Sequence, residues 1–208
     1  MNNHITNIKS DHNDPNQRLI FVNESCVATL TASNVENLSI ELGQEWTEEL
    51  ELEITNIQSS DKTRAIALQL LSRRSWAKKE LTNRLVKRGR DSKDATSVAN
   101  QLEEEGWLDD FAYAGALIRE WLRAEPASRL WLQRKLSEKG ISPDDCERAI
   151  NEELGDQSEQ DAATELATIR IGKVTSTDEA TIRRRVIAAI QRRGFCSDVA
   201  SEAYSRAT

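Results

Sequence analysis

The residues of this chain best suited to chemistry are its cations. Residues 62–93 carry eleven lysines and arginines against only Glu80 and Asp91, so i,i+4 pairing along a helix cannot neutralise them. Arg73, Arg74, Lys78, Lys79, Arg84, Lys87 and Arg88 are the core of that cluster. A second group, Arg183, Arg184, Arg185, Arg192 and Arg193, has no acid between its ends. Arg129, Arg134, Lys135 and Lys139 occupy comparable places between the two. Side chains of this kind hold phosphate as point charges and forks, without regard to base sequence and with steep salt dependence. The plainer readings are a solvated helix face or a match for an acidic protein surface.

Other chemistry is poorly provided for. The only histidines, His4 and His12, lie in a polar leader, which argues against a histidine-based triad or a buried His-rich metal site. Cys26, Cys146 and Cys196 are an odd number without a CxxC pair, the pattern of reduced thiols in a reducing compartment. Neither GxGxxG nor GxxxxGK[ST] is present. Asp109 and Asp110 form a carboxylate pair, but without further ligands at metal spacing they read as a helix N-cap and a first-turn acid. The expectation is therefore no catalytic, cofactor-binding or metal residue, and no enzyme. With no signal core and no apolar run approaching the ~18 residues of a membrane span, a soluble, cytoplasmic chain is expected.

The elements that must carry these cations follow from charge and periodicity. The formal net charge of -7 hides a division: residues 1–60 hold ten acids and two bases. Residues 1–17, polar and with little to bury, read as a disordered leader. Residues 18–60 read as an acidic segment in which LIFVNESCVATLTA and NLSIELG are short strands. QEWTEELELEI is there either a third strand or, preferably, a short helix capped by Thr47. The charge of this segment could shield the basic array.

Helical periodicity then takes over. Leu81 and Leu85, four apart, mark a helix stopping at Gly89; Ala95, Val98, Ala99 and Leu102 mark another stopping at Gly106. Three matched helix ends, LVKRG (85–89), LSEKG (136–140) and IQRRG (190–194), recur 51 and 54 residues apart. Each is preceded by one helical pattern and followed by another, which indicates tandem three-helix units at 61–108, 109–156 and 157–208. The fold expected is all-α: three helix-turn-helix-like repeats in an elongated, curved array behind a small, partly β segment. Gly89, Gly140 and Gly194 are its structural punctuation. Trp76, Trp107, Trp121 and Trp131 read as packing residues rather than base-stacking platforms, with Trp107 between repeats.

Several of these stretches resemble the RecX family, regulators of the RecA recombinase. A-x-x-L-L-S-R-R (Ala67–Arg74) with E-L-x-x-x-L-x-x-R-G (Glu80–Gly89) is similar to the family's first repeat. L-x-x-x-G-W-L-D-D-x-x-Y-A (Leu102–Ala114) is similar to its most recognisable signature, and K-L-S-E-K-G-I (Lys135–Ile141) and R-R-G-F (Arg192–Phe195) to later repeat endings. The likeness covers about residues 63–206. It departs at Ala77, where members usually carry a capping serine; Ser75 is the nearest substitute. The resemblance implies a non-enzymatic monomer whose partners are RecA protein and the RecA–single-stranded DNA filament. There it would inhibit filament extension, recombinase, ATPase and coprotease activity in DNA repair and the SOS response, with weak direct DNA contact. The alternative is a direct helix-turn-helix-like DNA-binding regulator.

Overall fold

The computed structural model describes residues 3–175 and 178–208. The chain is mostly helical, with one small antiparallel sheet at its N-terminal end. Strands β1 (Ile5–Ser10), β2 (Gln17–Val22) and β3 (Ser25–Thr31) pair in sequence order. A two-residue turn joins β2 to β3, with Asn23 and Glu24 both at positive φ (47° and 69°). That conformation matches the right-handed twist of the flanking strands. α1 (Ala32–Asn37) follows, capped by the Thr31 hydroxyl.

Three expectations for this region are corrected. Residues 1–17 are not a disordered leader, because β1 lies within them. Ile5 and Ile8, three apart, do not alternate like a strand, but an irregularity in register between Ile5 and Asn7 turns both toward the sheet's core. NLSIELG forms no strand: α1 ends at Asn37, Ser39 takes a φ of 50°, and only Ile40 of the stretch beyond is buried. The boundary at 60/61 does not exist either, since α2 (Glu48–Leu71) runs through it without a break.

Thr47 does cap α2, its hydroxyl accepting from the Leu50 backbone N–H. Glu48, Glu49 and Glu51 fill the first turn, where the helix dipole favours negative charge. The acidic run thus serves a helix start, and among the described residues no ion pair joins an acid of residues 1–60 to a basic cluster. Leu50 and Ile54 pack on the sheet, while Ala67 and Leu70, further along the same helix, enter the next core. One helix therefore ties the sheet to the helical body.

That body packs around three further cores. α2, α3 (Lys78–Lys87) and α4 (Ser92–Glu104) enclose Leu81, Leu85, Val98, Ala99 and Leu102. α5 (Asp110–Ala124), α6 (Arg129–Lys139) and α7 (Pro143–Leu154) enclose Ile118, Leu132, Leu136, Cys146 and Ile150. α8 (Glu159–Lys173), α9 (Glu179–Arg192) and α10 (Ser197–Ala207) enclose Ala163, Leu166, Ala167, Ile190, Ala200 and Ala203. The alanines of the last group remove bulk at the helix crossings and let α8 and α10 approach closely. Among the described residues, no helix is long and apolar enough to cross a membrane.

Candidate nucleic-acid interface

Two joints between successive helix groups decide where the cations lie. In the first, the C-terminal glycine of α6 sits on the first turn of α3. Gly140 has φ 86°, and a Cβ there would lie 2.9 Å from the Lys79 Cβ. In the second, the corresponding glycine of α9 sits on the start of α6. Gly194 has φ 87°, and a Cβ there would lie 2.3 Å from the Ser128 Oγ and 2.8 Å from the Trp131 Cβ. Both positions thus need glycine for its conformation and for its missing side chain. At Gly89, the matching end of α3, a Cβ would meet nothing within 4 Å.

Polar contacts lock each joint. Ala77 precedes α3 and has no side chain with which to cap it. The Asp110 carboxylate, from the start of α5, accepts the Lys78 backbone N–H at 2.8 Å instead. Neither Ser75 nor any other residue of α3's own segment takes that role. Burial raises the Asp110 pKa above its usual 3.8; Glu103 and Asp145 add to the rise while the Lys78 N–H opposes it. Asp109 caps α5 as expected, accepting from Ala112 at 2.8 Å. At the second joint Glu125 gathers Arg170, Lys173 (3.4 Å) and Arg193 (3.7 Å). Arg193 also lies 4.4 Å over the Trp131 ring and donates to the Glu125 carbonyl at 2.9 Å.

Each joint opens onto a basic groove. The first, about 530 Å³, runs between α3 and the end of α6 and is lined by Arg74, Lys79, Arg84, Lys87 and Lys139, with Glu80 and Glu138 among them. Arg74 stacks 3.4 Å over Trp76 and pairs with Glu80 at 3.1 Å, so it is held in place. The second groove, about 500 Å³, lies between α8 and α9. Arg170, Lys173, Arg184, Arg185 and Arg192 line it together with Val174, Val186, Ala188 and Ala189, with no acid among the described lining residues.

The remaining expected contacts fall elsewhere. Lys78 pairs with Glu103 at 2.6 Å, and Arg134 and Lys135 share Glu138 at 3.3 and 2.7 Å. Those hydrogen bonds, Lys135's foremost, hold the Glu138 carboxyl below its usual range. Arg129 is spent on Asn151 and the Gly155 carbonyl. Arg193, 15% exposed, is a joint residue rather than a surface contact. Arg73, Arg88 and Arg183 are exposed but line neither groove. Trp121 and Trp131 pack edge to face at 5.6 Å, as packing residues should. Trp107 does not pack between helix groups: it is 59% exposed.

Three residues of this surface escaped the sequence reading. Arg170 and Lys173 close α8, and their signal was the usual preference for cations in a last turn. Glu125 had no signal, because only the fold brings α8 and α9 to it.

No family model matches the chain. It is 29% identical over 147 residues to the regulatory protein RecX of Mycobacterium avium, a match spanning 68% of this chain and 82% of that protein. With the regulatory protein RecX of Mycobacterium marinum it shares 31% identity over 143 residues, with the same two shares. Among solved structures, a regulatory protein RecX superposes with a TM-score of 0.81 at 18% identity, over 98% of this chain and 99% of that one. RecX from Lactobacillus salivarius gives 0.60 at 18% identity, over 73% and 97%.

Proposed function

Since this chain belongs to the RecX family of regulatory proteins, we propose that it regulates RecA by seating along the RecA–single-stranded DNA filament. The role is regulatory rather than enzymatic, exercised in the cytoplasm during DNA repair and the SOS response. Occupying the filament blocks its extension and lowers recombinase, ATPase and coprotease activity.

The observation that carries this reading is the recurring joint. Gly140 on Lys79 and Gly194 on Ser128 and Trp131 both set the end of one group's second helix against the start of the preceding group's second helix. A comparable joint used twice supports reading the three three-helix groups as repeats of a curved array that can follow a helical partner. The two basic grooves flank those joints and are spaced along the array. Their cations suit the phosphates of the filament's DNA, and positive potential speeds docking onto an anionic partner. Arg84, Lys87, Arg184, Arg185 and Arg192 are the contacts we assign to this surface, with Lys79, Lys139, Arg170 and Lys173 beside them. DNA contact alone is weak, since the array offers charge without base-reading geometry.

RecA-driven ATP hydrolysis on single-stranded DNA tests the reading. Titrating this protein in should lower the rate in proportion to filament occupancy. An unchanged rate at saturating protein would overturn the proposal. Tight, sequence-selective binding to duplex without RecA would favour a direct DNA-binding regulator instead.

A further inference from the structure

Within the Gly106–Asp110 turn, most residues serve the junction of α4 with α5, while the Trp107 ring is left largely outside the core. Gly106 ends α4 at φ 79°, and Leu108, 3% exposed, packs into the core with Leu102. Asp109 caps α5 and Asp110 caps α3. Trp107 ends that segment 59% exposed, its side chain touching the Glu105 carboxylate at the end of α4. A large amphipathic ring in that position adds nothing to the core, and such rings dominate the energetics of protein contacts.

Its surroundings specify an occupant. Trp107 lines a cleft of about 230 Å³ with Trp76, Tyr113, Ala112, Ala116 and Asp109. Three aromatic residues and one carboxylate line it; Arg74 already lies 3.4 Å over Trp76 and reaches Tyr113, so among the described residues the Trp107 ring is the one there with no cation over it. On the preceding turn Glu104 is exposed and has no partner among the described residues, while Glu103 and Glu105 are paired with Lys78 and Arg64. Aromatic faces attract cations, and a carboxylate at the same opening fixes one by charge. The molecule already uses its rings this way: guanidinium groups lie 3.4 Å over Trp76, 4.4 Å over Phe111 and 4.4 Å over Trp131. Phosphate, by contrast, is repelled by Asp109 in the lining.

We propose that this cleft receives an arginine or lysine side chain from the protein component of the filament, with Trp107 as the anchor. The partner's identity rests on the function proposed above. The basic grooves then engage anions, and the Trp107 cleft engages protein.

The test compares the unsubstituted chain with Trp107→Ala and Trp107→Phe in two assays: binding to the RecA–single-stranded DNA filament, and binding to naked single-stranded DNA at low salt. Trp107→Ala should weaken filament binding about tenfold or more, leave naked-DNA affinity within twofold, and leave the melting temperature unchanged because the ring is exposed. Trp107→Phe should recover part of the loss. Filament binding by Trp107→Ala within twofold of the unsubstituted chain overturns the proposal. So does an equal loss on naked DNA, which would make Trp107 a base-stacking platform. If the unsubstituted chain does not bind the filament at all, the filament reading falls and this one with it. If it binds and Trp107→Ala binds equally, only the cleft assignment falls.

Discussion

Single residues at the joints carry more than their types advertise. Asp110 caps a helix that begins 32 residues earlier in the chain, because Ala77 leaves that helix without a side-chain cap. Asp110→Ala should lower stability by about 1 kcal/mol, the usual value of an N-cap, read as a shift in urea midpoint. Asp110→Asn keeps an acceptor and sheds the buried charge, so it should cost less. The pH dependence has a definite sign. Burial raises the Asp110 pKa above 3.8, so the folded chain binds this proton more tightly than the unfolded chain. The contribution of Asp110 is greatest when it is protonated, and it declines as pH rises from the usual value through the raised one. As pH rises from 3.8 through the raised value, the stability difference should therefore move in favour of Asp110→Asn. Glycines offer a second contrast. Gly89→Ala should cost about 1–2 kcal/mol, for the left-handed backbone alone. Gly194→Ala should cost clearly more, because its Cβ would also strike Ser128 and Trp131. Thermal melts of the two variants separate these cases. The pattern of basic residues followed by glycine was visible in the sequence. That two of the three glycines are pressed against a neighbouring helix group was not, since a close approach depends on the partner surface.

At the scale of elements, the second joint depends on one carboxylate. Glu125, 16% exposed, holds Arg170, Lys173 and the nearly buried Arg193. Glu125→Ala leaves that arginine without its counter-charge, and a loss of about 2–3 kcal/mol is expected, seen as a lower melting temperature. Helix periodicity located α3 to α7 well, because Leu81 and Leu85, or Leu132 and Leu136, sit four apart on one face. It failed at β1 for a physical reason: a register irregularity lets residues three apart share a face, which no period-two pattern contains. It divided α2 at 60/61, where the acidic segment ends, whereas Thr63 bonds back to the Ser59 carbonyl at 2.8 Å within a continuous helix. Cations were found by type but sorted only by fold. Arg193 and Arg192 are neighbours in sequence, yet one locks a joint and the other faces a groove.

The molecule as a whole presents two basic grooves spaced along a chain of helix groups, with an aromatic, carboxylate-bearing cleft between Trp76 and Trp107. Converting Arg184, Arg185 and Arg192 to Glu reverses the groove between α8 and α9. Affinity for the filament should fall, and its dependence on salt should become shallower as phosphate contacts are lost. An unchanged salt slope would place the DNA elsewhere on the surface. The most direct measurement is sedimentation of the RecA–single-stranded DNA filament with this protein present. It should appear in the pellet in proportion to filament until the sites saturate, and return to the supernatant as salt is raised. A protein that stays in the supernatant at every concentration, with intact filament below it, would contradict the account.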